Sequence, residues 1–236
     1  MRRLRALLAD PAERRERGRF AVEGAPLIGE ARRAGWEPLE VLRAVGGTDD
    51  FGASVVLEAA DGVVERVATT ETPRGEIATF ERRTAPLPEG DCWVLVAAGV
   101  ADPGNLGTIV RSAEAAGAAA VVSVRGTTDP FAPKVVRASA GALFHVPIVE
   151  VGSLDDLRRH GFRLLGTTSG ARATSFRVAE VSGRLGIVVG NEAHGLDPSS
   201  PVDDWVTVPH VGRAESLNVA MAAAVVCFEV AHRRGQ

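Results

Sequence analysis

The chain has 236 residues, of which 45% are hydrophobic and 24% charged, with a formal net charge of −3 at pH 7. This exceeds one average domain and falls short of two large ones, and the composition excludes wholesale disorder. The charge balance excludes a uniformly basic nucleic-acid binder, and the longest apolar stretch, Leu217 to Phe228, carries Asn218 and is too short to span a bilayer.

The first twenty residues are arginine-rich. Arg2, Arg3, Arg5, Arg14, Arg15, Arg17 and Arg19 stand against Asp10, Glu13 and Glu16, a local surplus of four positive charges. The run reads equally as a phosphate-attracting patch or as a solvated helix face braced by i,i+4 pairs such as Glu13–Arg17. It lacks an apolar core, so no secretion signal is expected. Next come a helix after Glu23 through Pro26, Leu27, Ile28 and Ala31, a strand around Leu39–Val45, a helix near Val63–Val67 and a strand at Ile77–Phe80. Thr84 to Asp91, with two prolines and a glycine, reads as a linker. The expected division is 1–83, a linker 84–91, and 92–236.

After the linker the rhythm sharpens. Strands are expected at Trp93–Ala98, Ala119–Val124, Val146–Val149, Arg163–Thr167, Leu185–Val189 and Trp205–Val208. Helices are expected from Asn105 to Gly117, at Pro130–Ala142, Leu154–His160 and Ser216–Val230. Apolar strands alternating with helices predict an α/β fold with a parallel sheet covered on both faces. Cys92 and Cys227 lie far apart with no partner at metal or redox spacing; both are expected as buried thiols of a reducing cytoplasm, and no metal is expected.

In open parallel sheets ligands bind beyond the carboxyl ends of the strands, which directs attention to three loops. In the first, Asp102, Pro103 and Gly104 make a turn and Asn105 suits the cap of the following helix. Arg111, almost two turns on, is either a surface arginine or a fork for phosphate. In the second, Gly190-Asn191-Glu192-Ala193-His194-Gly195-Leu196 follows the strand Leu185–Val189. Two glycines permit a sharp turn, and Glu192 is placed to accept backbone amides, bind a ligand or act as a base. His194 lies on a turn and is expected to face solvent. The third runs from Pro209 to Met221. Ser216 is expected to cap the last helix, and Asn218, in its first turn, either faces a polar site or satisfies loop backbone.

Asn-Leu-Gly-Thr-Ile-Val-Arg-Ser-Ala-Glu-Ala-Ala-Gly from Asn105, Gly-Asn-Glu-Ala-His-Gly-Leu from Gly190 and Ser-Leu-Asn-Val-Ala from Ser216 resemble, in order and spacing, the three motifs of the SpoU branch of the SPOUT RNA methyltransferases. The resemblance spans roughly Cys92 to Val230, and Arg137-Ala138-Ser139-Ala140-Gly141-Ala142 with Val146-Pro147 is also similar to that family. The first segment resembles the family's ribosomal-protein-like RNA-binding domain more weakly, through Phe20-Ala21-Val22-Glu23-Gly24 and Thr72-Pro73-Arg74-Gly75.

The resemblance implies a sheet whose C-terminal part forms a deep trefoil knot, a cytoplasmic homodimer, and S-adenosylmethionine bound largely by backbone groups at Thr167, Gly190, Val208, Pro209 and Leu217. It implies 2′-O-methylation of a ribose in structured RNA; the separate N-terminal segment 1–83, able to grip a folded hairpin, favours ribosomal RNA, with transfer RNA as the alternative. Asn105 and Arg111 would position ribose and phosphate, Arg111 acting in its own or the partner's site. Glu192 would shape the cofactor loop, and Ser216 and Asn218 would complete the acceptor site. Many relatives carry a second small hydroxyl residue where this chain has Ala220, a departure expected to bear on dimer packing.

A dinucleotide-binding oxidoreductase or a Rossmann-type methyltransferase would need a Gly-x-Gly-x-x-Gly turn after an early strand, which is missing. The remaining alternative is a non-catalytic RNA-binding or ribosome-assembly module that retains the fold.

Overall fold

A computed structural model describes residues 1–47, 49–60, 62–69, 75–170 and 173–235. Of the segment Thr72-Pro73-Arg74-Gly75, all but Gly75 lies outside the described residues.

The strands after residue 91 are β5 (Trp93–Ala97), β6 (Ala120–Val124), β7 (Ile148–Val151), β8 (Arg163–Thr167), β9 (Thr174–Ser175), β10 (Leu185–Val189) and β11 (Asp204–Thr207). They form one sheet in the order β7-β6-β5-β10-β8-β11-β9, every pairing parallel. Each residue of β5, β6 and β10 is buried, which is why these strands read as continuous apolar runs rather than alternating ones. The α/β expectation holds. β10 follows β8 in the chain yet lies between β5 and β8, so the carboxyl ends of β5, β8, β10 and β11 come together.

The helices are α5 (Pro103–Ala115), α6 (Pro133–Ala138), α7 (Leu154–Arg159) and α8 (Val219–Arg233), and α5 packs against both α6 and α8. α6 is shorter than the expected Pro130–Ala142 helix. Ala140 and Gly141 adopt positive φ, 51° and 96°, and a 3₁₀ turn follows at Ala142–Phe144. A Cβ on Gly141 would come within 2.7 Å of the Glu30 Cγ. The break lets the N-terminal part approach.

Ahead of residue 84 lie α1 (Arg2–Ala9), α2 (Pro11–Arg17), β1 (Arg19–Glu23), α3 (Ala25–Arg33), β2 (Pro38–Ala44), β3 (Val55–Ala59), α4 (Val63–Val67) and β4 (Glu76–Glu81). The sheet order is β1-β4-β2-β3, with only the β2–β3 pairing parallel. The strands β1 and β3 were not among the expected elements. β1 is buried beyond Arg19, but its apolar run is only Phe20-Ala21-Val22 between the charged Arg19 and Glu23, too short to read as a strand. Ala21, Leu42 and Ile77 face α1 and α4. Phe20, Val41 and Phe80 face the other way and merge with Trp93, Phe131 and Phe144 in one core.

Polar contacts reinforce this seam. Arg14 and Asp129 pair at 2.6 Å with side-chain exposures of 3% and 4%, and the Trp36 indole donates to the Phe144 carbonyl at 3.0 Å. Arg137 pairs with Glu23 and donates to the Thr69 hydroxyl at 2.9 Å. Residues 84–91 form neither helix nor strand, yet the Ala85 amide donates to Ile148 at 2.8 Å and Arg184 donates to the Pro88 carbonyl at 2.6 Å.

Both cysteines are free. Cys227 is buried and its thiol is pushed up to about 12 by desolvation; Cys92 is half-buried, and burial is again the main cause raising its thiol. Among the described residues no helix is long and apolar enough to cross a membrane.

Candidate functional site

The site grows from the carboxyl ends of β5 and β10. After β5 the chain turns at Ala98–Asp102, and the Asp102 carboxylate accepts the Asn105 amide at 2.9 Å with Pro103 in the first helical position. Asp102, not Asn105, therefore caps α5. An aspartate three residues ahead with a proline between is the better cap, and it releases the Asn105 side chain for other work.

That work is a bridge. Asn105 Nδ2 donates to the Glu192 carboxylate at 3.0 Å, and Asn105 Oδ1 accepts from Asn218 Nδ2 at 3.0 Å. Glu192 also accepts the Ala101 and Asp102 amides, at 3.0 and 2.9 Å. Burial opposes its ionisation, but these amides and Asn105 outweigh it and hold the carboxyl below the ordinary glutamate range. Glu192 thus stands as an ionised acceptor that ties the loop after β10 to the start of α5.

Asn218 closes the arrangement from the third loop. α8 begins at Val219, and Asn218 is its cap, accepting the Ala220 and Met221 amides at 2.9 and 3.2 Å. Ser216 is not the cap; it lies in the exposed segment before it. Asn218 meets both of its expected alternatives, since its carbonyl satisfies backbone while its amide points into the polar site. Ala220, 2% exposed, packs into the chain's own core, so the departure at this position concerns internal packing rather than an outer face.

The loop after β10 folds back on itself. Asn191 Oδ1 accepts the Ala193 and His194 amides at 2.9 and 3.2 Å, Asn191 Nδ2 donates to the Gly99 carbonyl at 3.0 Å, and the Asn191 and Gly195 backbones exchange two hydrogen bonds. Gly190 lies flush against this return: a Cβ there would be 2.4 Å from the Gly195 carbonyl carbon. Asn191 was not among the residues singled out from the sequence. Its signal was its place directly after a buried strand, where an Asx turn is common. His194 is exposed on the loop.

Between the loops is a cavity of about 250 Å³ whose walls include Thr167, Gly190, Val208 and Leu217, together with Glu192 and Ser216. Four of the five expected cofactor positions thus share one cavity; Pro209, next to Val208, is not among its lining residues. Asn105 and Asn218 are linked to the cavity through Glu192. Arg111 is not brought in. It is exposed on α5, six residues and roughly 9 Å of helix rise beyond Asn105, without an ion pair among the described residues.

Residues 93–228 match the model of the SpoU rRNA Methylase family. The chain belongs to that family. This SpoU chain is 34% identical over 232 residues to the 23S rRNA (guanosine(2553)-2′-O)-methyltransferase RlmP of Bacillus subtilis, covering 94% of this chain and 91% of the relative. A putative TrmH family tRNA/rRNA methyltransferase of Staphylococcus epidermidis is 36% identical over 149 residues, 61% of this chain and 59% of that one. Among solved structures, the SpoU methyltransferase AviRb of Streptomyces viridochromogenes in complex with AdoMet superposes with a TM-score of 0.88 at 26% identity, covering 100% of this chain and 97% of that one. The AdoMet-bound rRNA methyltransferase of Sinorhizobium meliloti gives 0.84 at 29% identity, covering 98% and 94%.

Proposed function

We propose that the chain methylates a ribose 2′-hydroxyl of structured RNA, ribosomal RNA in preference to transfer RNA, using S-adenosylmethionine. The observation that carries this reading is the Asn218–Asn105–Glu192 hydrogen-bond chain, which joins all three motif loops beside the cavity. The similarity to RlmP over nearly the whole chain supports ribosomal RNA. It also weighs against a non-catalytic assembly module.

The cavity suits the cofactor. Its walls combine the apolar residues Leu196, Val208, Leu217 and Val219 with the glycines Gly190 and Gly195, and Gly190 leaves no room for a Cβ beside the returning loop. Thr167, Gly190, Val208, Pro209 and Leu217 would hold it, mainly through backbone. When bound, S-adenosylmethionine supplies a methyl group activated by its sulfonium. The protein's contribution is alignment. Glu192 fixes the cofactor loop against α5. Asn105, oriented by Asn218 and Glu192, presents its amide group to the acceptor ribose, and Ser216 adds a hydroxyl on the cavity wall. Arg111, a permanent cation, holds the adjoining phosphate.

The outward face of α8 supports a homodimer, and Arg111, which does not line its own chain's cavity, would then serve the partner's site. Met221, Val225 and Phe228 recur at i, i+4 and i+7 and are 65%, 44% and 53% exposed, an apolar stripe on a helix packed beside α5. The insertion of β10 between β5 and β8, with the tight return at Gly190, supports a trefoil knot in the C-terminal part. Residues 1–83 act as the RNA-gripping unit, 84–91 as the connection and 92–236 as the methyltransferase unit, all in the cytoplasm.

The test is transfer of radiolabelled methyl from S-adenosylmethionine to total RNA of a strain lacking this gene, followed by nuclease digestion and mass spectrometry. A 2′-O-methylated nucleoside at one ribosomal site is the expected result; a methylated base, or no incorporation into any RNA, overturns the reading.

A further inference from the structure

At the seam between the two sheets, a buried ion pair and two arginines without an ion pair among the described residues meet around one cleft. Arg14 of α2 pairs with Asp129 at 2.6 Å, and a second guanidinium nitrogen donates to the Leu7 carbonyl at 2.7 Å. The pair pins α2 to the loop that follows β6. Successive residues on a helix point about 100° apart, so fixing Arg14 inward turns its neighbour Arg15 outward, where it is exposed.

Arg15 lines a cleft of about 970 Å³ whose other wall is built from the carboxyl ends of β6 and β7, Arg125 included. The cleft reaches Ala101, whose amide holds Glu192, so it runs up to the candidate site. Four ionisable side chains line it. The two carboxylates are already matched, Asp129 by Arg14 and Glu150 by Arg82 at 2.5 Å. The two guanidinium groups, Arg15 and Arg125, have no ion pair or side-chain hydrogen bond among the described residues. In a chain of net charge −3 this is a focused positive site rather than a basic surface.

The ligand chemistry follows from what the cleft offers. Two forked guanidinium groups match phosphodiester oxygens. No aromatic side chain is among its lining residues, so it provides no stacking platform for a base. We propose that this cleft carries the RNA strand flanking the target ribose, with Arg15 and Arg125 each engaging a backbone phosphate and the Arg14–Asp129 pair holding Arg15 in place. The proposal rests on the RNA methyltransferase reading above and adds the path by which substrate reaches the site. Contacts of this type set position and register without reading sequence.

The experiment compares the full-length protein with Arg15→Gln, Arg125→Gln and the double variant, using ribosomal RNA from a strain lacking the gene as probe. Filter binding at several salt concentrations reads RNA affinity independently of turnover. Methyl incorporation gives KM for RNA and kcat, and calorimetry gives the S-adenosylmethionine Kd. The double variant is expected to weaken RNA binding and raise KM about tenfold or more, and to flatten the slope of log affinity against log salt by about 1 to 2. It is expected to keep kcat, cofactor affinity and thermal midpoint. RNA affinity and salt slope equal to those of the unaltered protein overturn the cleft assignment. Failure of the unaltered protein to methylate RNA that it binds tells against the reaction instead.

Discussion

The side-chain amide of Asn218 donates to the side-chain carbonyl of Asn105 across 3.0 Å, although 113 residues separate them in the chain. Because Asn105 also donates to Glu192, one asparagine reports on the position of two loops. Asn105→Ala removes both contacts and leaves Asn218 and Glu192 without their shared partner. We expect kcat to fall about a hundredfold or more, with a smaller change in S-adenosylmethionine affinity. Steady-state kinetics beside calorimetry checks this, and equal losses in both would mean that Asn105 serves the cofactor loop instead.

Glu192 makes a pH-dependent contribution whose sign is fixed by its depressed carboxyl pKa. The folded state binds the proton less readily than the unfolded chain. Its stabilisation is therefore fully present above the ordinary glutamate range and is lost as pH falls through the lowered folded value. Glu192→Gln should reduce stability at neutral pH, and the gap from the unaltered protein should close in acid. Denaturant titrations across pH measure it; a gap that stays constant or widens in acid would assign the loss to packing.

Arg111→Ala should lower kcat about a hundredfold or more while leaving cofactor affinity unchanged, since Arg111 does not line the cavity. Mixing this variant with Asn105→Ala decides where it acts. If Arg111 serves the partner's site, hybrid dimers regain one intact site and activity returns. If it serves its own, the mixture stays inactive.

Gly190→Ala places a Cβ 2.4 Å from the Gly195 carbonyl carbon and 2.5 Å from the Leu196 nitrogen, both backbone atoms that cannot rotate away. The loop must open. Overpacking of this kind costs about 1–3 kcal/mol, and the S-adenosylmethionine Kd should rise about tenfold or more. A Kd equal to that of the unaltered protein would show that the return of the loop is irrelevant to cofactor binding.

Asp129→Ala strands the Arg14 guanidinium in a buried site with, among the described residues, the Leu7 and Leu8 carbonyls as its remaining partners. Removing one partner of a buried pair costs about 3–5 kcal/mol, which should appear as a large fall in the urea midpoint. The double variant Arg14→Leu/Asp129→Leu should recover much of that loss. Failure to recover would mean that the pair contributes beyond its own neutralisation.

Much of the parallel sheet was legible because parallel strands buried on both faces must be apolar throughout, and β5, β6 and β10 announce themselves in that way. The three loops were legible as turn chemistry at strand ends. Less visible were β1, whose short apolar run Phe20-Ala21-Val22 is bounded by the charged Arg19 and Glu23, and the division of labour at helix starts. Asn105 and Ser216 both suit a cap by residue type; Asp102 and Asn218 hold the caps because the loop geometry puts their oxygens over the free amides.

Composition and local pattern were thus enough to specify an α/β chain with a parallel sheet and the loops that leave its strands, because burial and turn formation act over a few neighbouring residues. Which side chains meet was settled by folding. Asn218 reaches Asn105, Glu192 reaches the Ala101 and Asp102 amides, and Arg14 reaches Asp129 only after β10 is inserted between β5 and β8 and the N-terminal sheet docks on the loop after β6. Hydrogen bonds and ion pairs act over about 3 Å, and no local pattern encodes which distant segments will come that close.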